Sequence, residues 1–336
     1  MRYIIYGAGA IGGIIGAKLH LNGLEVVLIA RGEHLQRIQQ DGLLLRVPEG
    51  DQRLPIPAVG HPSEIDFLPD DVVLLAMKSQ DTAKALEELR AAAGDQVIVV
   101  CGQNGLENER LALRFFPRVY AMLLSMPATY LEAGVVETSA WPIAGVCDLG
   151  CYPSGTDATA EAIARDFDAS GLISMARDDI MQWKFTKLLQ NVANAVGAAC
   201  GDAEDTSDLQ DMVRNECREV FKAAGYEWIP GPQFTERGAL FRKAMAAPGG
   251  ISSVNRSRGG SSTWQSLARG AGTSEADYLN GEIVLLGRLH GVPTPANEVF
   301  QVLSDRLARE RRQPGAISAA EARELVEARQ AVYAKT

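Results

Sequence analysis

The chain opens on Tyr3-Ile4-Ile5-Tyr6-Gly7-Ala8-Gly9-Ala10-Ile11-Gly12, and no other stretch constrains its fold as strongly. A β-branched and aromatic run reads as a strand, and Gly7-x-Gly9-x-x-Gly12 reads as a tight turn. The small apolar residues that follow (Ile14, Ile15, Ala17, Leu19) read as a helix. A bare GxGxxG is a weak signal, but strand, turn and helix in that order give it a mechanism. Gly7 allows the turn, Gly9 lets the backbone approach a pyrophosphate, and Gly12 lets helix and strand pack closely. The unpaired N–H groups and dipole of the helix N-terminus then favour the anion. The bland alternative is a glycine-rich turn without a ligand.

Parallel-sheet signals continue downstream. Glu25 to Ala30 is apolar nearly throughout, as a strand covered on both faces must be, and ends in Arg31-Gly32. An acid at this point suits the ribose 2′-hydroxyl of NAD, whereas a basic residue suits the 2′-phosphate of NADP. Arg31 therefore points to NADP(H), against a merely solvated arginine and with Glu33 nearby as an argument on the other side. A polar excursion with short strands spans about Asp41 to Ile65. Asp71 to Met77 gives a third core strand ending at Lys78, and Gln96 to Cys101 a fourth, ending in Gly102-Gln103-Asn104-Gly105-Leu106. Ligands of open parallel sheets lie beyond the carboxyl ends of the strands. Gly7, Arg31, Lys78 and Asn104 all fall there, although Lys78 alone could be a solvated lysine and Asn104-Gly105 a turn. Short β-like pieces from Tyr120 to about Gly150 are expected to complete this domain with antiparallel strands. A helix from Thr159 to Phe167 follows, then a boundary between Ser170 and Asp178.

The totals exclude several classes. A length of 336 residues suits two domains, and a net charge of −9 argues against a nucleic-acid surface. No stretch approaches the roughly 20 apolar residues of a membrane span. The first residues lack the charged and apolar regions of a signal peptide, so the cytoplasm is the expected location. Five widely spaced cysteines, with Cys147 and Cys151 lacking a second pair or histidines, read as reduced thiols and not a metal site.

The second half is almost wholly helical. Met181 to Ala199 reads as one helix, with Lys184, Lys187, Asn191 and Asn194 recurring on one face. A polar stripe on an apolar helix requires water or a ligand. A lysine four residues before an asparagine, facing a nicotinamide, can protonate a carbonyl oxygen while the amide orients it; a solvated lysine edge is the plain alternative. Pro248 to Ser262, rich in Gly, Ser and Arg, reads as a loop that closes over substrate through Arg256 or Arg258. A helix from about Glu275 to His290 follows a Ser274…Asp277 capping box, and a last one from Ser318 to about Tyr333 has its own Ser318…Glu321 cap.

Taken together, these pieces resemble the ketopantoate reductase (2-dehydropantoate 2-reductase) family. The resemblance rests on Gly7-Ala8-Gly9-Ala10-Ile11-Gly12, Ala30-Arg31-Gly32, Met77-Lys78, Gln103-Asn104-Gly105-Leu106, Lys187-Leu188-Leu189-Gln190-Asn191 and Ser261-Ser262. It continues through Glu275-Ala276-Asp277-Tyr278-Leu279-Asn280-Gly281 and Gly291-Val292-Pro293-Thr294-Pro295. It implies an α/β chain with an N-terminal Rossmann-type parallel-sheet domain (1–172) that binds NADP(H), followed by an all-helical C-terminal substrate and catalytic domain (173–336). The implied reaction is NADPH-dependent reduction of a 2-oxo acid to a 2-hydroxy acid.

Lys187 resembles the general acid, and Asn104, Asn191 and Ser262 resemble groups that hold substrate. Glu275 resembles the anchor for a hydroxyl or for the lysine, and Lys78 and Asn104 would also lie near the nicotinamide ribose. No metal is implied. The pattern departs from the family at Ala195, at Gly259 and in the spacing of Trp183, so Lys184 rivals Lys187, and one extra residue between Ser262 and Glu275 makes Thr263 a rival of Ser262. An opine-type dehydrogenase and a non-catalytic NADPH sensor remain as other readings. The implied partner is a small 2-oxo acid, and the C-terminal helix could pack within the chain or across a homodimer, the latter being the expectation.

Overall fold

A computed structural model describes residues 1–201, 203–245, 261–270 and 272–334. They form two compact units. The first holds Met1–Lys184 together with a later helix, and the second holds Phe185–Ile229 and the described chain from Ser261 onward.

The first unit begins with β1 (Arg2–Tyr6), α1 (Ala10–Leu21), β2 (Glu25–Ile29) and α2 (Gly32–Asp41). A hairpin of β3 (Leu43–Val47) and β4 (Gly50–Leu54) precedes the short β5 (Ala58–Val59). Then come β6 (Val72–Leu75), α3 (Thr82–Ala93), β7 (Ile98–Cys101), α4 (Glu107–Leu113) and β8 (Val119–Met122). The remainder is β9 (Val135–Glu137), β10 (Gly145–Val146), β11 (Leu149–Cys151), α5 (Ala158–Ala169) and β12 (Leu172–Ile173). The main sheet has seven strands in the order β11-β8-β7-β6-β1-β2-β5. All its pairings are parallel except β11 with β8.

Alternation along the strands fills two separate cores. Tyr3, Ile5, Leu28, Val72, Leu74 and Val100 enter one, and Ile4, Tyr6, Ile29, Val73, Leu75 and Val99 enter the other. Burial on both faces is why these strands are apolar throughout. The expected antiparallel completion after Tyr120 holds for β11 and for isolated antiparallel bridges of Ser125 with Val146 and Thr129 with Glu137, whereas β8 continues the parallel sheet, β9 pairs parallel with β3, and β10 pairs parallel with β12.

The helical part comprises α6 (Ile180–Asn191), α7 (Asn194–Cys200), α8 (Ser207–Ala223), α9 (Gly231–Met245), α10 (Ser262–Ala268), α11 (Asn280–His290), α12 (Pro295–Arg309) and α13 (Ala319–Tyr333). Three boundaries differ from the sequence expectation. First, the helix expected over Met181 to Ala199 is two, broken at Val192 and Ala193. Asn280 Nδ2 donates to the Val192 carbonyl at 3.0 Å, supplying a partner for a group at the break. Second, the helix expected from Glu275 starts at Asn280 after a 3₁₀ turn (Ala276–Tyr278), and the Ser274 hydroxyl accepts from the Ala276 N–H instead of closing a box with Asp277.

Third, the units do not divide at residue 172. The first runs to Lys184, within α6, and takes back α9. Arg237 of α9 donates through Nε to the buried carboxylate of Asp148 at 2.9 Å, and Phe234 lies 5.8 Å from the Trp183 ring. Within the second unit, Phe185 stacks on Tyr226 at 4.5 Å and Asn297 bonds Asn280, the Val213 carbonyl and Glu216. The last helix is capped as expected, with Ser318 accepting from the Glu321 N–H at 3.1 Å. Among the described residues no helix is long and apolar enough to cross a membrane and no group of side chains could hold a metal ion. The five cysteines are free thiols, four of them buried.

Candidate active site

The glycine turn after β1 divides its labour among three positions. Gly7 has φ +105°, and a Cβ there would stand 2.7 Å from the Met77 amide nitrogen. Gly12 would place a Cβ 2.2 Å from the Gly7 carbonyl oxygen and 2.8 Å from Ile5 Cγ2. At both, the close approach of backbone excludes a side chain. Gly9 is different: a Cβ there meets nothing within 4 Å. The missing side chain leaves open space at the start of α1, whose first turn carries no acid. An anion such as a pyrophosphate can reach the helix N–H groups there.

Arg31, Lys78 and Asn104 follow β2, β6 and β7, which stand next to β1 in contiguous order. The first unit therefore gathers Gly7, Ala8, Gly9, Ala10, Ile11, Gly12, Arg31, Lys78 and Asn104 at one end of its sheet. Arg31 extends into solvent, where Nη2 pairs with Asp81 at 2.8 Å. Its guanidinium is thus exposed and available to an anion that outbids an exposed carboxylate.

Lys184 belongs to the first unit and is buried. Its ammonium pairs with the fully buried Glu109 and donates to the Gln103 carbonyl at 2.9 Å. Burial pushes the Glu109 carboxyl up from its ordinary range, opposed by Lys184. The second unit holds Lys187, Asn191, Ser262 and Glu275. Lys187 is partly buried, and burial pushes its ammonium below the ordinary lysine value. Asn191 and Glu275 are buried, at 5% and 8% exposure, and Ser262 begins α10, which packs against α7. Ser261 is the cap of α10, accepting from the Trp264 N–H, and Thr263 is buried. The loop containing Arg256, Arg258 and Gly259 lies outside the described residues.

Two family models match the chain: ketopantoate reductase PanE/ApbA over residues 3–153 and ketopantoate reductase PanE/ApbA C terminal over residues 179–307. The chain belongs to the ketopantoate reductase family. It is an oxidoreductase acting on a CH–OH group. Among its relatives, the 2-dehydropantoate 2-reductase of Pyrococcus horikoshii is 29% identical over 312 residues, covering 90% of this chain and 96% of that one. That of Halobacterium salinarum is 28% identical over 320 residues, covering 91% and 97%. A PanE/ApbA family ketopantoate reductase from Ralstonia eutropha superposes with a TM-score of 0.76 at 28% identity, covering 93% of this chain and 99% of that one. A D-mandelate dehydrogenase shares the fold with a TM-score of 0.77 at 24% identity, covering 93% and 99%.

In this ketopantoate reductase homologue, one residue beside the glycine turn carries no signal in the sequence. His34, two residues into α2, is buried, with Nε2 2.7 Å from the Ala8 carbonyl and Nδ1 accepting from the Gly134 N–H at 2.8 Å. The acceptor role of Nδ1 puts the proton on Nε2, which donates to Ala8. Burial pushes the His34 imidazole below its ordinary value, in keeping with a neutral ring. Both its partners are backbone groups, so no residue pattern advertises it. With both ring nitrogens taken by backbone groups, His34 is not paired with an acid as a catalytic histidine would be. His61 comes within 3.8 Å of Glu88, but on an exposed part of the surface.

Proposed function

We propose that this protein reduces a 2-oxo acid, 2-dehydropantoate or a close analogue, to the 2-hydroxy acid with NADPH as donor and Lys187 as general acid. The observation that carries the assignment is the contrast between the two lysines of α6. Lys184 spends its ammonium on Glu109 and the Gln103 carbonyl, while the Lys187 ammonium is destabilised by burial. A lysine eased toward the neutral form gives up a proton more readily at moderate pH.

A nicotinamide dinucleotide held at the Gly7–Gly12 turn, with Ala8, Ala10 and Ile11 lining it, supplies the hydride. The chain's own groups do the rest. Arg31 takes the 2′-phosphate in exchange for Asp81, and Lys78 and Asn104 hold the ribose end. Asn104, Asn191 and Ser262 orient the oxo acid through its carbonyl and carboxylate oxygens, and Glu275 anchors a hydroxyl or the lysine. Lys187 Nζ donates its proton to the carbonyl oxygen as the C–H bond forms and the C=O π bond breaks, leaving a neutral amine that solvent reprotonates.

The test is loss of NADPH absorbance with a panel of 2-oxo acids, ketopantoate first, aryl 2-oxo acids included and NADH as the control donor. Replacing Lys187 by Ala is expected to lower kcat by roughly 10²- to 10⁴-fold with NADPH binding retained. Tight NADPH binding without turnover of any oxo acid would instead support a sensor.

A further inference from the structure

We infer that Lys184 is a positioning residue, which with Glu109 braces the turn that presents Asn104. The inference deepens the reading above and rests on the roles proposed there for Asn104 and Lys187.

The brace can be followed bond by bond within the first unit. Lys184 Nζ donates to the Gln103 carbonyl at 2.9 Å, immediately before Asn104, and its charge is matched by Glu109. The Gln103 side chain turns the other way. Its Nε2 donates to the Met77 carbonyl at 3.0 Å and to Thr82 Oγ1 at 2.7 Å. Thr82 Oγ1 in turn donates to Asn108 Oδ1 at 2.8 Å. Asn108 Nδ2 closes the circuit on Ser79 Oγ and on the Asn104 carbonyl, each at 3.1 Å. The loops after β6 and β7, which carry Lys78 and Asn104, are therefore tied to each other through buried side chains.

Three features argue for positioning. A buried ion pair gives little net stability, because desolvation offsets its attraction, so its presence calls for another reason. The side chains that link to one another in the circuit also each donate to the backbone: Gln103, Lys184 and Asn108 donate to the Met77, Gln103 and Asn104 carbonyls in turn. Gln103 Oε1 and Glu109 Oε2, by contrast, have no protein hydrogen-bond partner among the described residues. Finally, Lys184 is badly placed to give up a proton. Its loss would leave the buried Glu109 carboxylate without its countercharge. Lys187, three residues on along α6, has no charged partner among the described residues, burial alone acting on its ammonium.

The experiment compares K184M, K184R and the double variant K184M/E109L with wild type in the full chain. Swapping both ions for apolar residues of similar size removes the pair without stranding a charge, so the double variant keeps the test alive where K184M does not fold. Hydrogen–deuterium exchange should rise in the peptide covering residues 102–107 and change little in β1 and α1. NADPH affinity, read by fluorescence, should change less than about twofold. With the oxo acid that turns over best, kcat should fall roughly 10- to 100-fold, the scale of a misplaced reacting group. K184R should recover part of that loss, and the basic limb of the pH profile should keep its position.

Unchanged exchange at 102–107 would overturn the brace whether or not any substrate is turned over. Disappearance of the basic limb in K184M would overturn it by making Lys184 the acid. Wild-type turnover in K187A would overturn the reading of Lys187 instead, and leaves the exchange result to judge Lys184 alone.

Discussion

Replacing Gly9 by Ala should weaken cofactor binding while leaving the fold intact. Gly9 adopts φ −69° and ψ −156°, which any L-residue accepts, and its added Cβ meets nothing within 4 Å. Two small terms then act on stability. Ala removes backbone freedom from the unfolded chain, a gain of about 0.4–1 kcal/mol. It is also a poorer helix N-cap than Gly, a loss of about 0.5–1 kcal/mol. They nearly cancel, so the melting temperature without ligand should stay within about 3 °C of wild type. Binding has no such compensation. A methyl in that open space holds a phosphate off the N–H groups, and one lost bond to a charged group costs about 1.5–3 kcal/mol. That is roughly a 10- to 150-fold rise in the Kd for NADPH.

Gly12→Ala supplies the contrast. Its Cβ would lie 2.2 Å from the Gly7 carbonyl oxygen and 2.9 Å from Ala76 Cβ, so backbone must move. Overpacking of that kind costs about 3 kcal/mol or more, roughly 6–12 °C in melting temperature. Thermal melts of both variants with and without NADPH, alongside a fluorescence titration, read stability and affinity separately. A Gly9→Ala protein that binds NADPH as tightly as wild type would refute the assignment of the pyrophosphate to this turn. One that melts as early as Gly12→Ala would refute the reading of open space.

Other expectations follow from the same geometry. Because burial lowers the Lys187 value, its protonated form is lost at lower pH than an ordinary lysine. Reduction should hold a plateau at low pH and decline as pH rises through that lowered value, in a kcat/KM profile whose basic limb Lys187→Ala abolishes; a limb at the free-lysine position would contradict it. Arg31→Ser should raise the KM for NADPH by about tenfold or more and leave NADH unchanged, as steady-state kinetics with both donors will report. Asp81→Asn should improve NADPH by no more than about fivefold, since an exposed pair is worth about 0–1 kcal/mol. His34→Leu strands the Ala8 carbonyl and the Gly134 N–H at about 1–3 kcal/mol each. It should lower both melting temperature and NADPH affinity, with His34→Gln recovering part of each.

What the sequence reveals about this chain is what is encoded locally. The strand, turn and helix around Gly7 to Gly12, the apolar strands β6 and β7 and the Ser318 cap are each written within a dozen neighbouring residues. What it hides is decided by partners far along the chain. Val192 and Ala193 carry no helix breaker, yet the helix ends there, and the Val192 carbonyl bonds Asn280, 88 positions away. Nothing in α9 announces that it belongs with the first unit; Arg237 reaching Asp148 across 89 positions does. Lys184 sits on the same polar stripe as Lys187, and only Glu109, 75 positions earlier, tells the two apart.

The long-range contacts missed by the sequence share a purpose that also bears on how such a site keeps its shape. Loops that follow parallel strands carry the chemistry and would be the most mobile part of the sheet. Here the loops after β1, β6 and β7 are each held by a buried side chain that donates to the backbone. His34 bonds the Ala8 carbonyl beyond β1, Gln103 the Met77 carbonyl beyond β6, and Lys184 the Gln103 carbonyl beyond β7. A side chain that bonds a carbonyl fixes the peptide plane, and with it the position of the next residue's Cα. For Gln103 that next residue is Asn104, and for Met77 it is Lys78. The loops can then vary in sequence at the positions that face a ligand without losing their geometry, because the braces act on the main chain and not on the functional side chains. Specificity changes in this protein should therefore be tolerated at Asn104 and Lys78 themselves and resisted at Gln103, Asn108 and Lys184.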